Sequence, residues 1–260
     1  MQNEIILARF KELKLEPSGI REISSLSDID NAFPDNLLRA FEGLRFQTRR
    51  ETRAMIEYLK RPAHDQIAFG YYQDVPSCLN AQRASGAGHR ESTEKRPLNR
   101  LALPFVNVSR DVSLSFHTGG HAADEHGAGT LCDEKEQILA VCSTIPIDLS
   151  YRIWAMAADR ETLIYLTSAI GAWIRLWQSR GATAFESSTT LANLPVSVLT
   201  VLDTPKMVDW VDVSPPNDSE KLYAAELAVP VVSQLHVAHY VDASYVRWES
   251  SMGVSNGIVG

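Results

Sequence analysis

The chain predicts an α+β fold, in which a mainly antiparallel sheet packs against one long helix over about residues 159–180. Two observations carry that expectation. Ile145, Ile147, Leu149, Tyr151 and Ile153 alternate along the chain, the period of a half-buried strand. At Asp159 the period changes, and Leu163, Leu166, Ile170, Trp173, Ile174 and Trp177 recur at steps of three and four, which is one face of a helix. Asp159 suits the N-cap, Glu161 places negative charge in the first turn, and Gly181 suits the C-terminal stop.

The remaining elements follow in order. Residues 1–64 are expected to form a helical N-terminal region. Ile5 to Leu15 makes an amphipathic segment that Pro17-Ser-Gly19 breaks. A second helix opens at Pro34 and Asp35, with Leu37, Leu38, Phe41 and Leu44 on its apolar side. It continues through a kink near Gln47 to Met55, Ile56 and Leu59. Residues 65–240 read as the α+β body. Ile67 to Tyr72 is a strand, and 74–100 is a long polar loop, a length associated with function or mobility. Leu101 to Phe116 returns to strand character, with Val112, Leu114 and Phe116 alternating. A second loop covers 117–135. Ala184 to Thr190 reads as an edge strand, Val196–Val201 and Val208–Val213 as two more, and Tyr223 to His236 as a strand or pair interrupted by Pro230. Residues 241–260, small, polar and Gly-bearing, are expected to be a C-terminal arm.

Composition bounds the function. The chain has 260 residues, 45% hydrophobic and 22% charged, as in ordinary globular proteins. No apolar run approaches the roughly 20 residues of a membrane span. The start, Met1-Gln-Asn-Glu, lacks a signal-peptide layout. Three cysteines without a C-x-x-C pair fit a reducing compartment. Net charge is −7, split as +2 over residues 1–100 and −9 over 101–260. An acidic C-terminal part argues against gripping nucleic acid there and favours a solvated surface or a partner with basic patches.

Candidate chemistry is sparse. His117, His121, His126, Asp124, Glu125 and Cys132 are all competent metal ligands, and a metal-dependent enzyme is one reading. Gly119-Gly120 disfavours a helix between the first two histidines, and no metalloprotease glutamate follows His117. A polar hairpin loop is the plainer interpretation, so no metal site, cofactor or catalytic residue is assigned. Ser85-Gly-Ala-Gly-His89 lacks the Lys-Ser/Thr of a phosphate loop, and no Gly-x-Ser-x-Gly is present. Arg45, Arg49, Arg50 and Arg53 suggest contacts with an acidic partner or with DNA, although Glu51 and Glu57 partly neutralise them. Trp154, Trp173 and Trp177 are expected to pack together around the central element. Trp248, in the tail, is a candidate contact with a neighbouring subunit.

Leu103-Pro-Phe-Val-Asn-Val108, a hairpin, Ile145-Pro-Ile-Asp-Leu-Ser-Tyr-Arg-Ile-Trp154, the helix from Asp159, and strands ending in Leu227-Ala-Val-Pro-Val-Val232 form an ordered set. Over residues 101–240 that order resembles the neck and tail-terminator structural proteins of contractile-tailed bacteriophages. The resemblance is one of pattern, with no diagnostic motif. It implies a non-enzymatic virion protein that assembles in the host cytoplasm into a homo-oligomeric ring, a hexamer. Tail tube, sheath or connector proteins would be its neighbours, and DNA would pass through the channel without specific binding or any membrane. An adaptor or a baseplate wedge is the neighbouring alternative.

Overall fold

A computed structural model describes residues 5–87, 103–116, 125–135, 137–179, 184–202, 208–216 and 222–253; for 5–14, 83–87, 125–128, 177–179 and 243–253 it describes the backbone only. It is α+β and sheet-rich, with a curled mixed sheet. The strands are β1 (Ile5–Ile23), β2 (Ile67–Phe69), β3 (Phe105–Arg110), β4 (Ser115–Phe116), β5 (Glu125–Cys132), β6 (Ile138–Ala157), β7 (Ala184–Leu191), β8 (Leu194–Leu202), β9 (Val211–Asp212) and β10 (Tyr223–Gly253). The helices are α1 (Leu26–Leu38), α2 (Arg53–Leu59), α3 (Ala63–Gln66), α4 (Val75–Ala87) and α5 (Arg160–Ser179).

The spine is the antiparallel pair β6–β10, in register from Tyr223 opposite Ala157 to Tyr240 opposite Ala140. On one side of β6 lie β3, β4 and β5 in succession; on the far side of β10 lie β9, β8 and β1. Among the described strand pairs, β2 against β3 is the parallel one. The β7–β8 hairpin closes through Ala192-Asn193, both at positive φ (50° and 61°), the handedness that matches strand twist in a two-residue turn.

Period two decides which side chains meet which layer. Ile147, Leu149, Tyr151 and Ile153 of β6, with Val106, Val108, Leu227, Val229 and Val231, face a helical layer. That layer is shared rather than supplied by one helix: Ile29, Phe33 and Leu37 come from α1, Met55 and Tyr58 from α2, and Leu166, Ile170, Trp173 and Ile174 from α5. Phe33 stacks on Tyr151 with ring centroids 4.2 Å apart. Trp154 points to the opposite face, where α4 brings Val75, Cys78 and Leu79 against Phe105, Met156 and Ala224. Trp154 and Trp173 therefore do not pack together: Trp154 points to the face that α4 covers, and Trp173, on α5, packs on the other. Both faces are covered at that end, so Trp154, Ala155, Met156 and Ala157 are all buried. Trp177 has no described side chain.

Several expectations are corrected. Ile5 to Leu15 is strand, not helix: its apolar pattern is amphipathic at either period, and pairing with β10 decides the outcome. Pro17-Ser-Gly19 does not end the element. It makes a bulge between Pro17 and Arg21, with Gly19 at φ 82°. The helix expected from Pro34 begins earlier, at the Ser25 cap, whose hydroxyl accepts from the Ser27 amide at 3.2 Å. It stops at Leu38, and residues 39–52 separate it from α2. The loop expected at 74–100 holds α4, and the one at 117–135 holds β5. Pro230 does not interrupt β10; it sits opposite Ser150 in the register. The arm expected from 241 is strand as far as Gly253.

Asp159 caps α5: its carboxylate accepts from the Thr162 amide and hydroxyl, each at 2.8 Å. Among the described residues, no helix is long and apolar enough to cross a membrane.

Candidate functional site

Beyond Tyr240, β10 leaves β6 behind and keeps only β1. The two run antiparallel from Glu16 opposite Asp242 to Ile5 opposite Gly253 without a register break. At ~3.4 Å per residue, those pairs span roughly 37 Å. Among the described residues, no third strand pairs with the ribbon on either of its outer edges. Two-stranded ribbons are marginal in water, and exposed edges invite pairing with another chain. Trp248 lies on this ribbon, opposite Phe10 in the register.

Polar contacts anchor the root of the ribbon. The Ser24 amide donates to the His236 carbonyl at 2.9 Å, and the His236 amide donates to the Ser24 hydroxyl at 3.0 Å. His236 Nε2 donates to the Ser197 carbonyl at 3.2 Å, which leaves Nδ1 to accept from the Thr144 hydroxyl at 3.0 Å. One imidazole thereby ties β10 to β6 and β8. Tyr240 and the Ala192 amide both donate to Glu22, at 2.9 and 2.7 Å. Burial pulls the His236 pKa below its ordinary value, although the bond to Ser197 opposes this. Cys142 Sγ lies 3.9 Å from Nδ1, and burial pushes that thiol up. A buried neutral thiol beside a buried neutral imidazole lacks the thiolate that nucleophilic chemistry requires.

A second buried network fastens α1 to the sheet. Asp30 accepts from Arg110 Nε and from the Tyr151 hydroxyl, each at 2.8 Å. Burial and the adjacent carboxylate both raise the Tyr151 pKa. Arg61 donates to the Leu103 and Pro104 carbonyls, both at 2.8 Å, and fixes the chain leading into β3. These groups are consumed by the fold.

The arginines that the sequence singled out do not share a helix face. Arg45, Arg49 and Arg50 lie exposed in the connection between α1 and α2, and Arg53 opens α2. Arg49 donates to Gln47 at 3.0 Å, and Arg53 pairs with Glu57 at 3.1 Å. His117, His121 and Asp124 lie outside the described residues. Glu125 and His126 begin β5 with backbone only, and Cys132 ends it exposed. Among the described residues, no group of three metal-competent side chains converges.

Sequence reasoning missed the ribbon because the apolar pattern of β1 fits either period and its partner lies more than 200 residues away. The signal available was the scattering of Val241, Tyr245, Val246 and Trp248 through an otherwise small and polar stretch. No protein-family model matches this chain, and no curated protein matches it.

Proposed function

We propose that this chain is a non-enzymatic structural subunit of a tailed-phage virion, a ring-forming tail terminator or neck component. The observation that carries the reading is the ribbon of β1 and β10, which extends from a helix-covered sheet with no third described strand on either edge. An arm of that kind suits a heterologous contact, in which each subunit reaches onto the next and the ring closes by rotation. The acidic C-terminal part fits a channel wall that DNA passes without adhering. The ring would sit between connector and tail, touching tube or sheath proteins. Light scattering on the full chain, with labelling of purified particles, tests this. A ring-sized mass and a label at the neck are expected. A chain that stays monomeric at every concentration and is missing from particles contradicts it.

A further inference from the structure

The connection from α1 to α2 holds arginines on a fixed backbone. Leu44 packs against the main core, and the Phe46 ring meets Tyr165 of α5 edge-on, with centroids 5.1 Å apart. Thr52 ties off the far end: its hydroxyl donates to the Gln47 carbonyl at 2.7 Å and accepts from the Arg49 amide at 3.1 Å. With Phe46 turned inward, the outer surface is Arg45, Gln47, Thr48, Arg49 and Arg50, all exposed. Among the described residues, no carboxylate pairs with Arg45, Arg49 or Arg50, whereas Arg53 is taken by Glu57.

Charge is segregated here. Residues 45–51 hold these three arginines and Glu51, a net +2, so the rest of the chain sums to −9 in a total of −7. Composition then selects the partner. A protein contact is anchored by apolar or aromatic side chains at its centre, with charge kept to the rim. No large hydrophobic side chain between residues 39 and 60 is exposed. What this surface offers is guanidinium forks, an amide and a hydroxyl, the donor set that meets phosphate oxygens along a nucleic-acid backbone. From Arg45 to Arg49 the chain spans at most about 14 Å, so the three guanidinium groups can meet neighbouring phosphates.

We infer that the Arg45–Arg50 loop is a nucleic-acid contact that holds the phosphate backbone without reading sequence. One molecule suffices for it, so it does not depend on a ring. Being sequence-blind and salt-sensitive, it also suits DNA that passes rather than docks.

Anisotropy of a labelled random-sequence duplex, titrated with the full chain from about 50 to about 200 mM salt, tests this. Three neutralised phosphates give a slope of about −2.7 in log K against log salt, a loss of about 40-fold across that range. Arg49→Gln with Arg50→Gln should weaken low-salt binding about tenfold or more and take about two from the slope, and Arg45→Gln about one. Arg49→Lys with Arg50→Lys keeps the charge and should keep the slope. Arg21→Gln removes an exposed charge on β1 and should change neither quantity. Absence of binding at low salt, a slope near zero, or a slope that the Gln variants leave intact overturns the inference. Self-association lost in the Gln double variant, with no DNA bound by either protein, also overturns it and makes the loop a protein contact. A monomer that binds DNA as described upholds the inference while contradicting the ring.

Discussion

From Tyr223 to Val231, β10 lies in the middle of the sheet, with β6 along one edge and β9 and β8 on parts of the other. Leu227, Val229 and Val231 there are sealed beneath helices. From Asp242 to Gly253, its one described neighbour is β1. The backbone geometry is the same in both stretches, but the surroundings differ. The first is stabilised by burial within one molecule, at about 1.5–3 kcal/mol for each fully buried aliphatic side chain. The second pairs with β1 alone among the described strands. The contrast separates residues sealed within the fold from residues whose one described neighbour is β1.

The sharpest way to break the contrast is to attack the first region. Asp30→Ala leaves Arg110, whose side chain is 15% exposed, without its carboxylate, and frees the Tyr151 hydroxyl. Removing one member of a buried pair costs about 3–5 kcal/mol, so the denaturation midpoint should fall steeply. Val112→Ser belongs to the other class. Within ~0.5 kcal/mol of wild type is expected in the unassembled chain, because the side chain buries almost nothing there.

His236, at the root of the ribbon, gives a smaller and pH-dependent effect. Its folded pKa lies below the ordinary value, so the unfolded chain takes up the proton more readily. Stability should be full above about pH 6.5 and should decline as pH falls below it. Denaturation midpoints at pH 7.5 and 5.5 measure this slope, and His236→Gln should flatten it. The mildest probe uses thiols. Burial pushes Cys78 up to about 12 and raises Cys142, whereas Cys132 is exposed. A thiol reagent should titrate one of the three cysteines in the native chain and all three after unfolding.

How far the sequence could be read follows the same division. The alternation from Ile145 to Ile153 and the 3.6 period after Asp159 were visible because local period and buried face agree there. The Asp159 cap was visible for the same reason. Ile5 to Leu15 was misread because its apolar residues fit either period and only pairing with a strand over 200 residues away decides between them. The α4 helix was hidden in a polar, Gly-bearing stretch whose apolar positions are few, Val75, Cys78 and Leu79. Of the candidate contacts, Trp248 lies on the ribbon, but nothing local to it shows the pairing with Phe10. The alternation of Val112, Leu114 and Phe116 was legible as a pattern, but not their exposure, since alternation tells which residues share a side and not what covers them.

Hydrogen exchange on the full chain, at a concentration low enough to keep it unassembled and again after assembly, probes the difference between the two stretches of β10 most directly. Amides from Leu227 to Val231 should be strongly protected at both concentrations. Those from Asp242 to Gly253 should exchange fast when dilute and slow when assembled. Equal, strong protection of both stretches in the dilute monomer would contradict the claim that the ribbon is completed by a neighbour.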